Sequence, residues 1–175
     1  MGIMENNSNQ IEIIYASLDE RRFRELASKI AQAWQSHGGD NLVVGLEGEL
    51  GSGKTTWVRA MLEGLGYQGR VPSPTYTLLE QYELTDLSVV HLDLYRLPES
   101  IHSREEQASE FEALGVREWL AKSGTWLLGE WPSRSPQFCA RADIWIDFEF
   151  LGSYERRLVL SERSEIGRNF LDQLR

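Results

Sequence analysis

At 175 residues, with 41% hydrophobic and 26% charged side chains, the chain has the size and balance of one globular domain and leaves little room for a second. No apolar run approaches the roughly 18 to 20 residues that span a bilayer, so no membrane contact is expected. The formal net charge of −9 argues against a broad nucleic-acid-binding face, which needs clustered Lys and Arg to neutralise phosphates. The N-terminus has no basic region followed by an apolar stretch, and Asn6 stands where a Met1-Gly2 myristoylation site needs Ser or Thr. Together with a single cysteine, Cys139, which cannot build a disulfide framework, this predicts a cytoplasmic protein.

In chain order, residues 1–10 are polar and read as a flexible terminus, and residues 11–175 as a single domain. Ile11 to Tyr15 is β-branched and reads as a strand. Ser17 or Asp19 can cap a helix over 20–34, whose Phe23, Leu26, Ile30, Ala33 and Trp34 recur at helical spacing. The Arg21, Arg22 and Arg24 cluster on that helix reads as a solvated face. His37-Gly38-Gly39-Asp40 breaks the chain before an apolar strand over 41–47. A glycine-rich turn then opens a helix at about Gly53. Val71-Pro72-Ser73-Pro74 is an extended loop, because each proline disfavours helix in the residue before it. Strands over 75–82 and 87–94, a polar stretch over 98–110, a helix over 112–122 and a strand over 125–129 follow. Residues 143–150 and 155–160 alternate and form a hairpin, and a helix covers 165–174. The order predicts an α/β protein of three layers with a mixed sheet and a C-terminal antiparallel hairpin.

Gly48-Glu49-Leu50-Gly51-Ser52-Gly53-Lys54-Thr55 fits G-x-x-x-x-G-K-[ST] in full, between a predicted strand and a predicted helix. This is the context of a P-loop NTPase fold. Such a turn aims successive backbone N–H groups at a phosphate, and the helix behind it adds a positive dipole end. The nucleotide-binding candidates are therefore Glu49, Leu50, Gly51, Ser52, Gly53, Lys54, Thr55 and Thr56. Lys54 is one of three lysines in the chain and reaches the β- and γ-phosphates, while the Thr55 hydroxyl is a magnesium ligand. Such a site also needs a carboxylate at the end of a neighbouring strand, and two stand there: Asp93 after Leu87-Ser88-Val89-Val90-His91-Leu92, and Glu130 after Thr125-Trp126-Leu127-Leu128-Gly129. His91 reads as a strand side chain, and Trp131 as the tryptophan beside the nucleotide.

Three motifs carry a resemblance. Gly48 to Thr56 is similar to G-D-L-G-A-G-K-T-T. Ser73-Pro74-Thr75-Tyr76-Thr77-Leu78 with His91-Leu92-Asp93-Leu94-Tyr95-Arg96-Leu97 is similar to S-P-T-F/Y-T-L with H-F-D-L-Y-R-L, and Glu130-Trp131-Pro132 to E-W-P. Together they resemble the TsaE family, also called YjeE, from about Ile11 to Leu171. The resemblance implies an ATPase that works with TsaB and TsaD, the partners that transfer a threonylcarbamoyl group to an adenosine beside the tRNA anticodon. It is not itself the transferase, and it meets tRNA only through that complex. It also implies ATP and magnesium as cofactors, phosphate contact by Lys54, magnesium binding by Thr55 and Glu130, and service to the metal or the attacking water by Asp93. Lys54, Asp93 and Glu130 are thus the catalytic candidates, and Thr55, Asp93 and Glu130 the metal set. Thr75 and Thr77 are candidate sensors in a loop, Pro72 to Thr77, that closes over the phosphates. The sequence departs from the family at Phe23, where a threonine is usual, at Gly129, where a β-branched residue is usual, and in a longer segment between Arg96 and Gly115.

Two rival readings share the P-loop. A small-molecule kinase would use the 98–110 stretch as a lid, and an ATP-sensing scaffold would bind without turnover. A GTPase lacks its N-K-x-D and D-x-x-G motifs here.

Overall fold

Short β-branched and aromatic runs, each bounded by a polar or glycine-containing turn, assemble into one sheet in the computed structural model, which describes residues 2–5, 10–36, 40–96, 109, 111–152 and 154–175. The strands are β1 (Gly2–Glu5), β2 (Ile11–Leu18), β3 (Leu42–Gly48), β4 (Leu79–Glu83), β5 (Ser88–Asp93), β6 (Thr125–Glu130), β7 (Ile144–Leu151) and β8 (Glu155–Glu162). Their spatial order is β1-β2-β8-β7-β3-β6-β5-β4. The central four, β7-β3-β6-β5, run parallel. Antiparallel β4 lies on one side of them, and the antiparallel series β8, β2 and β1 on the other. The predicted mixed sheet and late hairpin are both present.

Helices cover both faces. On one side lie α1 (Glu20–Gln35), α2 (Lys54–Gly64) and α5 (Glu165–Asp172), and on the other the short α3 (Val116–Leu120) and α4 (Pro136–Cys139). Asp19 caps α1 by accepting from Arg22 N at 2.8 Å. Phe23, Ala27, Ile30, Ala31 and Trp34 form its buried stripe. The Trp34 indole, wholly buried, still donates to Phe170 O at 3.1 Å. Phe23 meets Trp57 of α2 edge-on, with ring centroids 5.1 Å apart. Each such side chain withdrawn from water contributes roughly 1.5–3 kcal/mol, so α2 is clamped in place by Trp57, Val58, Met61 and Leu62. Among the described residues no helix is long and apolar enough to cross a membrane.

Four expectations are corrected. Gly2–Glu5 is paired rather than frayed, because β1 supplies backbone partners to the otherwise open edge of β2. β2 continues past Tyr15 to Leu18 through a register shift, with Ser17 at φ 57°, which leaves the capping role to Asp19. Residues 75–78 form a turn rather than the start of β4: Leu78 N donates to Pro74 O at 2.7 Å and Leu78 has φ 63°. The helix expected over 112–122 is interrupted at Gly115, whose φ of 71° is left-handed, and resumes as α3. The breaking segment 37–39 and the proposed lid over 98–110, apart from Ser109, lie outside the described residues.

Gly129 has a packing cause. A Cβ there would stand 2.5 Å from Cε2 and Cζ of Phe138, a fully buried ring set edge-on to Phe111. Gly129→Val therefore overpacks this face. It is expected to cost about 1–3 kcal/mol, read as a lower melting temperature. Combining it with Phe138→Ala should give less destabilisation than the sum of the two single changes, because the ring that clashes is gone.

Candidate functional site

The parallel strands bring their C-terminal ends together, the position at which open α/β sheets hold ligands. β3 ends at Gly48, β5 at Asp93 and β6 at Glu130, and the register sets Asp93 opposite Glu130, and Glu130 opposite Leu46. Between Gly48 and α2 the chain makes its glycine-rich turn. Gly48 has φ 152°, and a Cβ there would lie 2.6 Å from Phe148 O. Gly53 has φ 109° and precedes α2 with no side-chain cap, so the first N–H groups of an eleven-residue helix are left for another acceptor.

A cleft of about 270 Å³ opens over this turn, and Leu50, Gly51, Gly53, Lys54, Thr55, Thr56, Asp93 and Glu130 all contribute to its lining. Of the nucleotide candidates, Glu49 and Ser52 do not line it. The Glu49 side chain borders a neighbouring acidic groove with Glu47, Asp147 and Glu149. The Ser52 Oγ is buried with no hydrogen-bond partner among the described residues.

Lys54 is only 4% exposed. Its Nζ donates to Gly48 O at 2.7 Å and Glu49 O at 3.0 Å and lies 3.8 Å from the centre of the Trp131 ring. Burial pushes the ammonium below its ordinary pKa, and the carboxylates of Glu130, Glu47 and Asp93 oppose that shift. The two strand-end acids each hold a threonine. Thr55 Oγ1 donates to Glu130 Oε1 at 2.7 Å, and Thr75 Oγ1 to Asp93 Oδ2 at 2.7 Å. Ser73 Oγ lies 2.8 Å from Thr75 Oγ1, and Tyr95 N donates to Asp93 Oδ1 at 3.0 Å. Glu130 is 4% exposed. Burial pushes its carboxyl up, but the hydrogen bond and charge interaction with His91, the Thr55 hydroxyl and Lys54 outweigh that and hold it below the usual range. It is an ionised acceptor.

Trp131, in a left-handed conformation at φ 58°, donates its N–H to Leu46 O at 3.1 Å, which ties the Glu130-Trp131-Pro132 corner to β3. Its ring lies 5.1 Å from that of Tyr95. Thr77 turns away: its hydroxyl donates to Glu80 at 2.8 Å. Phe23 is wholly in the core. Cys139 is exposed, and partial desolvation together with the Glu47 carboxylate raises its thiol pKa.

Three site residues escaped the sequence reading. His91 contacts Glu130 directly, at 2.9 Å, and its place two residues before Asp93, on the same strand face, was the available signal. Tyr95 lines the cleft. Arg156 donates from Nε to Ser52 O at 3.0 Å and supports the turn from β8, and no local pattern marks it.

A triphosphate fits this set. Uncapped helix N–H groups, one ammonium and hydroxyls surround the cleft, as anion binding requires. Magnesium fits as well. Among the described residues no cluster of three or more His, Cys, Asp or Glu forms a metal cage, and magnesium characteristically takes one or two carboxylates and completes its shell with water and substrate phosphates. Thr55, Asp93 and Glu130, which share the lining of this cleft, would be the groups to hold it.

Comparison with known proteins agrees with this architecture. A family model described as "Threonylcarbamoyl adenosine biosynthesis protein TsaE" matches residues 17–158. A tRNA threonylcarbamoyladenosine biosynthesis protein TsaE of Haemophilus influenzae is 32% identical over 151 residues, covering 86% of this chain and 85% of its own. The proteins of the same name from Aquifex aeolicus and Bacillus subtilis are each 32% identical, over 136 residues (77% of this chain, 84% of the relative) and 119 residues (68% of each) respectively. The crystal structure of Bacillus subtilis YdiB superposes with a TM-score of 0.68 over 94% of this chain and 95% of its own, at 21% identity, and shares the fold. A family match spanning most of the chain, with relatives matched over most of their own length, places the chain in the TsaE family.

Proposed function

We propose that the chain is a magnesium-dependent ATPase required for threonylcarbamoyladenosine modification of tRNA, acting as an ATP-driven switch on a TsaB–TsaD transferase complex. The observation that carries this reading is the convergence of Lys54 with two hydroxyl–carboxylate pairs, Thr55–Glu130 and Thr75–Asp93, over one uncapped helix N-terminus. The names of the relatives support the tRNA role.

Magnesium bound with the triphosphate would supply charge neutralisation at the β- and γ-phosphates. The chain's own groups do the rest. Lys54 exchanges its two carbonyl acceptors for phosphate oxygens. Thr55 keeps its hydrogen on Glu130 and still offers an oxygen lone pair toward the metal. Asp93 and Glu130 would divide two tasks, holding the metal and orienting the water that attacks the γ-phosphorus as the β–γ bridging oxygen leaves with ADP and the water's proton passes to the released phosphate. Thr75, whose hydroxyl is tied to Asp93, would exchange that carboxylate for the γ-phosphate when nucleotide binds and so close the Pro72 to Thr77 loop over the phosphates. The −9 charge leaves tRNA to the partner complex.

Labelled ATP tests the reading. Free phosphate should appear slowly with the isolated chain and faster with TsaB, TsaD and substrate tRNA. A phosphorylated small molecule in place of free phosphate would identify a kinase, and no turnover with all partners present a scaffold.

A further inference from the structure

His91 lies on β5 between Val90 and Leu92, and its side chain is wholly buried. Its Nε2 is 2.9 Å from Glu130 Oε1. A carboxylate can only accept, so the ring nitrogen is the donor. The other ring nitrogen, Nδ1, has no hydrogen-bond partner among the described residues. A buried polar ring with one nitrogen unpaired is a net burden on folding, and its whole polar engagement is with Glu130.

The same Oε1 also accepts the Thr55 hydroxyl at 2.7 Å. Two donors from different elements, α2 and β5, therefore converge on one oxygen, and Oε2 accepts no hydrogen bond from any described residue. A glutamate held by Thr55 alone would hang on one rotatable hydroxyl. With His91 as well, the carboxylate plane is fixed from two directions.

The geometry points to His91 as a positioning residue: by anchoring Oε1 of Glu130 it presents Oε2, and through Glu130 the Thr55 oxygen, to the magnesium–triphosphate. This role rests on the ATPase reading above. His91 is not among the residues that line the cleft, and it acts through Glu130, as the outer partners of metal-site ligands do.

Two substitutions separate positioning from packing. In His91→Gln the side-chain amide N–H reaches the place of Nε2. In His91→Asn an amide of the same chemistry stops about one bond short, near the place of Nδ1. Thermal unfolding checks that both variants fold. Calorimetry then measures ATP affinity in EDTA and across a magnesium titration, and steady-state kinetics give kcat and KM. For His91→Asn, affinity in EDTA should stay within about twofold of wild type, while the magnesium concentration for half-maximal tightening rises roughly 10- to 100-fold and kcat falls by a similar factor with KM little changed. His91→Gln should recover most of both. Wild-type magnesium dependence in His91→Asn overturns the role. Equal losses in the two variants overturn it too, because they point to packing alone. If the wild-type chain shows ATP binding that magnesium does not tighten, the ATPase reading itself fails and takes this role with it, an outcome visible before any variant is made.

Discussion

Lys54→Ala is expected to bind ATP and ADP roughly 100-fold more weakly than the wild-type chain, while AMP affinity changes little. The lysine sits on the turn between Gly48 and α2 and supplies the cleft's ammonium, buried to 4% exposure and already bonded to the Gly48 and Glu49 carbonyls. Much of its desolvation precedes nucleotide binding, so exchanging carbonyl for phosphate acceptors gains a charge interaction with little new ordering. A hydrogen bond to a charged group contributes about 1.5–3 kcal/mol, and 1.4 kcal/mol is tenfold in affinity, which gives the stated loss. AMP lacks the β- and γ-phosphates that Lys54 reaches and serves as the internal control. The pH dependence follows from the same burial. Because it lowers the Lys54 pKa, and only the protonated form attracts phosphate, ATP affinity is full at lower pH. It falls as pH rises through that lowered value, earlier than an exposed lysine would give. Calorimetry on both chains decides the matter, and equal affinities would remove Lys54 from the phosphate site.

The parts of the site that depend on a contiguous pattern were legible from the residues. Gly48 to Thr55 states its own geometry, because the glycines are needed where φ is 152° and 109° and the lysine must follow them. Asp93 and Glu130 were legible as acids at the ends of apolar strands, although only the register shows that they face each other. His91 was legible only as sharing a strand face with Asp93; its contact was not, since a histidine in a strand says nothing about which strand lies beside it, and its partner is 39 residues away. Arg156 reaches Ser52 across 104 residues, beyond any local periodicity. The errors in the elements have equally local causes. Gly115 breaks a stretch that periodicity alone extends into one helix, and the Pro74 carbonyl closes a turn on Leu78 within a run of strand-forming residues. β1 depends on an edge that only the assembled sheet creates. Phe138 explains Gly129 by a contact that the sequence cannot order in space.

Glu130→Gln should separate binding from turnover more sharply than a truncation to alanine. Its side-chain Oε1 can still accept both the Thr55 hydroxyl and the His91 ring nitrogen, the two contacts that hold this carboxylate. The replaced atom is Oε2, where an amide donor takes the place of an acceptor and the negative charge disappears. A donor cannot bind magnesium or accept a hydrogen from its water. ATP turnover should therefore fall roughly 100- to 1,000-fold, while the thermal transition moves little. Without metal the sign reverses. The lost charge no longer repels the triphosphate across a buried cleft, so affinity in EDTA should tighten several-fold, and the extra tightening that magnesium gives the wild-type chain should shrink. A single hydrolysis assay and two calorimetric titrations, with and without magnesium, cover all three outcomes. Wild-type turnover in Glu130→Gln would take this glutamate out of the reaction, and weaker binding in EDTA would mean that its charge holds the cleft together rather than serving the metal.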